Sequence, residues 1–223
     1  MKVSLSVDAA RWLQLPPLVD GTPEAAQWED GVIDGMRAAW NGALDPTSER
    51  ILREALRNGI RQVSPDDSVT LQFWPDASIA NAVVHVTAGA FAPDEPKQLV
   101  PLADLAYATE PVTALFETDA LGSGVEARYL ANVQSDPVIT LGGVNYLFAN
   151  DFGYVAVGVE PTLPAFIGIL LEPLRDVVRS IRVIDDAEGR WRPGEARETD
   201  LPSRGEDWDT PAVTDSTLSE AAR

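Results

Sequence analysis

The spacing of apolar residues changes once along this chain of 223 residues, and that change limits the fold more than any other feature. Between Pro23 and Gln62 the apolar residues recur every three or four positions, which is the period of amphipathic helices. From Ser68 to Val159 they recur mainly at every second position, which is the period of half-buried strands. The fold therefore has to combine helices with a sheet whose strands follow one another closely.

Helices are predicted in three places. Thr22-Pro23 and Asp45-Pro46 each place a capping residue before a proline at the first helical position. The apolar stripes that follow contain Trp28, Val32, Met36 and Trp40 in the first helix and Ile51, Leu52, Ala55, Leu56 and Ile60 in the second. A third helix begins after Pro161 and carries a broad apolar face, and we expect Pro173 to kink it.

Strands are predicted at residues 3–7, in a hairpin over 68–74 and 81–91, and in an antiparallel meander from residue 112 to 159. Gly142 and Gly143 interrupt one strand of the meander and indicate a bulge or a bend. The predicted fold class is α+β, with a mainly antiparallel β-sheet, helices on its faces and a kinked C-terminal helix that crosses the sheet.

Composition and charge exclude several classes of function. The chain has no Cys, which excludes disulfides, thiolate metal sites and a Cys nucleophile. With 35 acidic against 17 basic side chains, its net charge is −18, so we expect it to repel nucleic acid. The longest apolar run, residues 163–171, is too short to span a bilayer, and residues 1–8 lack the apolar run of a signal peptide. We therefore expect a cytoplasmic protein that does not bind membranes.

The composition shifts after residue 184. From Asp185 onward the chain holds 11 acids, five Arg and almost no aliphatic periodicity. This pattern predicts one α+β domain over residues 1–184 and a disordered acidic tail over 185–223. Two tryptophans lie in that tail, Trp191 and Trp208, with charged neighbours. Such tryptophans either dock into a groove of a partner or, in the case of Trp191, fold back onto the domain.

Few residues offer catalytic or metal-binding chemistry. The only His is His85, in the middle of a predicted strand, and we interpret it as a structural residue. The best acidic group combines Glu117 and Asp119 with Glu126 across the turn at 121–124. Like charges placed side by side repel one another, so this group is either solvated at the end of a hairpin or holds a cation. No cofactor is expected.

The order of elements ends with a helix that closes on Val178-Arg179-Ser180-Ile181-Arg182-Val183. In this it resembles the actinobacterial PsbP-like proteins, which have an α/β/α sandwich fold, over residues 2–184 and most specifically over 154–184. The two consecutive helices near the start depart from that pattern. The resemblance implies a binding or accessory subunit rather than an enzyme, and no shared catalytic motif.

Two functional hypotheses follow from the sequence. The first is a non-enzymatic binding or accessory protein whose partner is another protein, contacted through Trp191 and Trp208. The alternative is a carboxylate-dependent enzyme or a divalent-cation-binding protein that uses Glu117, Asp119 and Glu126. The sequence leaves the oligomeric state open.

Overall fold

A computed structural model describes residues 1–40, 42, 44–75, 79–90, 106–185 and 191–197. Within them it forms three helices and ten strands, in an α+β arrangement with mainly antiparallel pairing. The predicted fold class is therefore confirmed. The elements are β1 (Lys2–Ser4), β2 (Trp12–Leu15), α1 (Pro23–Ala39), α2 (Pro46–Gln62), β3 (Val69–Phe73), β4 (Ala82–Ala90), β5 (Val112–Thr118), β6 (Gly122–Val133), β7 (Ile139–Ala149), β8 (Gly153–Val159), α3 (Pro164–Ser180), β9 (Arg182–Asp185) and β10 (Gly194–Glu195).

The chain groups into two compact units. The smaller unit is Asp8–His85, and the larger unit combines Met1–Val7 with Val86–Arg223. Compactness alone does not make a unit fold independently, so the single domain expected over residues 1–184 stays a prediction. None of the helices in the described residues combines the length and the apolar character needed to cross a bilayer.

Both helices of the smaller unit begin at the predicted caps. The Thr22 hydroxyl accepts a hydrogen bond from the Ala25 N–H at 3.3 Å. The Asp45 carboxylate accepts from the Thr47 and Ser48 N–H groups at 2.8 and 3.0 Å, and these bonds lower the pKa of Asp45. Capping side chains satisfy N–H groups that have no partner within the helix, which is why both helices start where the sequence indicates.

A buried carboxylate joins α1 to α2. Glu29 of α1 is only 5% exposed and accepts hydrogen bonds from Arg53 and Arg57 of α2, at 2.7 Å from Arg53 Nη1 and 2.8 Å from Arg57 Nε. Hydrogen bonding to Glu29 raises the pKa of both guanidinium groups. Beside this contact lies the apolar core of the helix pair, formed by Ile33, Leu52, Leu56 and Trp74.

In the smaller unit β2 pairs antiparallel with β3. Trp12 lies opposite Phe73 in this register, and their rings pack at 4.9 Å between centroids. Gly59 of α2 lies against Leu15 and Gln72, where a built Cβ would be 3.0 Å from Leu15 Cδ1. The lack of a side chain at Gly59 thus lets the helix approach the strands closely.

The sheet of the larger unit follows the predicted meander. β5, β6, β7 and β8 pair antiparallel in chain order. Helix α3 packs against β7 and β5 and continues through Pro173. Its predicted kink and its crossing of the sheet stay predictions. β1 pairs antiparallel with β9, and the Ser180 hydroxyl at the end of α3 donates to the Ser6 carbonyl at 2.9 Å.

Gly142 and Gly143 pair in register with Leu130 and Tyr129, so no bulge interrupts the β6–β7 ladder at these glycines, and the bend stays a prediction. Each glycine instead makes room on one face of the sheet. A Cβ on Gly142 would be 3.1 Å from Ile167 of α3, and a Cβ on Gly143 would overlap the Tyr129 ring. Burial, with the nearby Tyr107 and Glu160, raises the pKa of Tyr129 to about 12.

Gly143→Ala tests whether the missing side chain of Gly143 makes room for the Tyr129 ring, because the new methyl group would collide with that ring. We expect a loss of about 1–3 kcal/mol in the free energy of unfolding, measured by urea denaturation. Gly158→Ala on β8 is the matched control, since its nearest neighbour would be Asn145 Oδ1 at 3.2 Å and the loss should be smaller. The effects of Gly143→Ala and Tyr129→Ala should not add, and strict additivity would contradict the contact.

Candidate binding groove

The clearest concave surface of the smaller unit is an apolar groove of about 390 Å³. One face of α1, the segment that leads into β2, and the residues that follow β3 form its walls. We call it the tryptophan groove, and its lining is Ala9, Ala10, Arg11, Trp12, Leu13, Val32, Gly35, Met36, Ala39, Trp40, Trp74 and Pro75. The volume falls within the usual range of ligand pockets.

The walls of the tryptophan groove are held by contacts made behind them. Trp12 and Trp74 are 6% and 4% exposed, and the backbone N–H of Trp74 donates to the Arg11 carbonyl at 2.7 Å. Trp74 belongs to the core of the helix pair, while Val32, Met36 and Trp40 are half-buried against that core. Since these side chains already pack against the protein, the groove is formed before any ligand binds.

Small residues keep the tryptophan groove open. Gly35 lies on the exposed side of α1, and a Cβ built there would meet nothing within 4 Å. Ala9, Ala10 and Ala39 complete the small part of the lining. The result is free space beside three indole rings, which is suited to receive an apolar side chain.

Arg11 is the only titratable group among the lining residues that the structure describes. Acid–base and nucleophilic catalysis each need a group that exchanges a proton or attacks the substrate, and a guanidinium does neither at neutral pH. The described lining can therefore bind an apolar group beside a positive charge, but it offers no catalytic pair.

The structure does not bring Glu117, Asp119 and Glu126 together. Glu126 pairs across the ladder with Ala114, and Glu117 pairs with Ser123. Because side chains alternate along a strand, Glu117 and Glu126 point to opposite faces of the sheet. Asp119 is exposed in the turn after β5. In the described part of the chain, no group of three His, Asp or Glu side chains could hold a metal ion.

Glu126 is instead paired with Arg175 of α3. The Arg175 Nε and Nη2 atoms donate to the two Glu126 oxygens at 2.9 and 2.8 Å, and Arg128 Nε lies 3.4 Å from the same carboxylate. The Glu126 side chain is 3% exposed. Burial, together with the charge of Glu126, raises the pKa of the opposite Tyr146 hydroxyl. This carboxylate joins the helix to the sheet and is not a free metal ligand.

Of the two predicted partner-binding tryptophans, Trp191 lies on the larger unit, where its indole Nε1 donates to the Ala120 carbonyl at 3.4 Å. Its neighbours Gly194 and Glu195 form β10, which pairs with β6. Residues 191–197 thus bind to the sheet although they lie in the predicted disordered tail. Backbone hydrogen bonds hold them, and apolar periodicity does not reveal such bonds. Trp208 lies outside the described residues.

His85 forms a polar contact that the sequence did not indicate. Its Nδ1 lies 2.7 Å from Asp67 Oδ2, which also accepts from the Thr70 hydroxyl at 2.7 Å and the Ser64 N–H at 3.1 Å. The Asp67 side chain is 6% exposed. This arrangement orients the imidazole ring and ties the residues before β3 to β4.

No protein family, curated protein or solved structure matches this chain. The tryptophan groove is assigned on geometry. The sequence indicated that Trp12, Trp40 and Trp74 are packed residues; Trp12 and Trp74 are buried, and Trp40 is half-buried against the core of the helix pair. The sequence did not show which small residues would lie beside these tryptophans and so leave a groove open.

Replacing Arg175 by Met should leave the buried Glu126 carboxylate without its main partner. We expect a loss of about 3–5 kcal/mol in the free energy of unfolding, measured by urea denaturation. Glu172→Gln is the control, because Glu172 is an exposed partner of Arg175 and should contribute about 1 kcal/mol or less. The double variant Glu126→Gln/Arg175→Met should recover most of the loss, and a double variant as unstable as Arg175→Met would contradict the assignment.

Proposed function

We propose that this protein is a non-enzymatic binding protein and that the tryptophan groove holds an apolar side chain of a partner protein. The observation that carries the proposal is an open apolar groove with three indoles and one titratable group in its described lining. Tryptophan and arginine are the residues most often found at the energetic centres of protein interfaces. A rigid groove lined by them is suited to an anchoring side chain.

Charge supports a protein partner over a nucleic acid. The smaller unit carries 12 Asp and Glu against six Arg, a net charge of −6 with His85 neutral. Binding to a phosphate backbone depends on clustered cations, and Arg11 is the one cationic residue of the described lining. An apolar side chain on a partner protein with a neutral or basic surface fits this groove better than a polyanion does.

The catalytic and cation-binding alternatives have less support. Glu126 is engaged by Arg175, and Glu117 and Asp119 are exposed away from it. The resemblance to PsbP-like proteins implies the same class of function as the groove, namely a binding or accessory role. The proposal therefore rests on the groove, with the resemblance as a second line of support.

Gly35 gives a direct test, because it lines the tryptophan groove and a Cβ built there meets nothing within 4 Å, so a larger side chain can extend into the groove. Gly35→Leu should therefore fold normally and gain about 1 kcal/mol of helix stability. Gly31→Leu is the matched control on the same helix, since Gly31 is also exposed, has nothing within 4 Å of a built Cβ, and does not line the groove.

A displayed library of 12-residue random peptides would serve as the probe. We expect selection on the unmodified chain to enrich peptides with one aromatic or leucine anchor, and Gly35→Leu to weaken their binding at least tenfold in calorimetry. Gly31→Leu should bind them unchanged. Equal binding to all three chains, or no enrichment, would overturn the proposal. If aromatic fragments bind in the groove and no peptide does, the proposed protein partner is wrong and the ligand is a small molecule.

A further inference from the structure

Residues 191–197, which we call the strap, add a short parallel strand to the larger unit. Gly194 and Glu195 pair with Gly122 and Ser123 at the start of β6. The Gly194 N–H donates to the Leu121 carbonyl at 2.8 Å, and the Ala196 N–H donates to the Ser123 carbonyl at 3.2 Å. The β6–β7 ladder begins only at Val125, so the strap occupies the stretch of β6 that β7 does not reach.

The larger unit recognises the backbone of the strap. Asn150 Nδ2 donates to the Arg192 carbonyl at 2.9 Å, and the Ser123 hydroxyl donates to the Ala196 carbonyl at 3.2 Å. The Trp191 indole contributes a side-chain hydrogen bond from the strap itself. Hydrogen bonds to main-chain groups are the basis of strand addition, in which an extended peptide extends a sheet.

One position of the strap has to be glycine. Gly122 has a φ of +81°, and a Cβ there would overlap the backbone of Gly194. A Cβ on Gly194 would be 2.6 Å from the Ala149 carbonyl oxygen and 3.1 Å from that of Ser123. Two backbones therefore meet without side chains between them, and only a segment with glycine at this point can bind so closely.

The side chains of the strap do not fill the space beneath it. A cavity of about 460 Å³ lies between the strap and the turn from β7 to β8. Val125, Leu147 and Ala149 contribute its apolar lining on the sheet side, and Pro193 and Ala196 face it from the strap. The strap thus satisfies the backbone groups of this site while leaving its apolar lining poorly covered.

We infer that the start of β6 and the β7–β8 turn form a strand-addition site for an extended segment of a partner protein. The segment carries glycine at the position of Gly194 and a large apolar residue at the position of Ala196. The strap is the occupant that the chain itself supplies. Tethering gives such a segment an effective concentration of roughly millimolar, so the strap fills the site, and a better-fitting partner segment displaces it.

This inference does not depend on the tryptophan groove, and its test uses the full chain carrying Gly194→Val, which should release the strap by a backbone collision. The probes are two fluorescent peptides, one with the sequence of residues 190–197 and one with Ala196→Leu in that sequence. By anisotropy, the Gly194→Val chain should bind the first peptide at least tenfold more tightly than the unmodified chain, whose site is filled. The leucine peptide should bind about tenfold more tightly again, because three more carbon atoms reach the apolar lining.

Asn150→Asp, added to Gly194→Val, checks that the peptides bind at this site. It keeps the acceptor that the Phe152 and Gly153 N–H groups use, removes the donor to the strap carbonyl, and should weaken both peptides. Glu195→Gln is the strap control: its side chain is exposed, so the strap should stay bound and the chain should behave like the unmodified one. Equal peptide binding with and without Gly194→Val, binding that ignores Asn150→Asp, or no gain from the leucine peptide would overturn the inference.

Discussion

The arrangement of the two helices in the smaller unit depends on the hydrogen bonds that the buried carboxylate of Glu29 accepts. This carboxylate accepts hydrogen bonds from Arg53 and Arg57, and so fixes which face of α1 turns towards α2. Leaving a buried carboxylate without its partners would cost several kcal/mol, far more than a surface ion pair contributes. Once this face is fixed, helical periodicity places Val32, Gly35, Met36 and Ala39 on the groove side. The tryptophan groove is therefore a consequence of how the helix pair is locked.

The larger unit uses the same device with a sheet in place of a second helix. The bidentate contact of Glu126 with Arg175 joins β6 to α3, and the missing side chain of Gly142 lets Ile167 of α3 approach β7. A charge pair sets the lateral position of the helix, and a glycine sets its distance from the sheet. The hydrophobic periodicity of the sequence reveals neither feature, since Glu126 and Arg175 are charged and Gly142 has no side chain.

That difference explains what the sequence could predict. Caps at Thr22 and Asp45 and the alternation from residue 112 to 159 predicted α1, α2 and the meander, because these signals are local. The position of Glu126 relative to Glu117 depends on the β5–β6 register, and a difference of one residue decides the face of the sheet. The strap was missed because its backbone, rather than its side-chain pattern, holds it.

Both candidate binding surfaces lie where the chain departs from the local rules it otherwise follows. Gly35 lies inside a helix, where glycine costs about 1 kcal/mol relative to alanine, and its lack of a side chain leaves the groove open. Gly122 and Gly194 weaken strand pairing in general, yet here they allow two backbones to meet. Gly31 departs from the same helix rule, and nothing in the structure explains it. Natural sequences tend to break local rules at functional sites, and these glycines agree with the two proposed binding surfaces: Gly35 leaves space beside apolar walls, and Gly122 and Gly194 allow close pairing of two backbones.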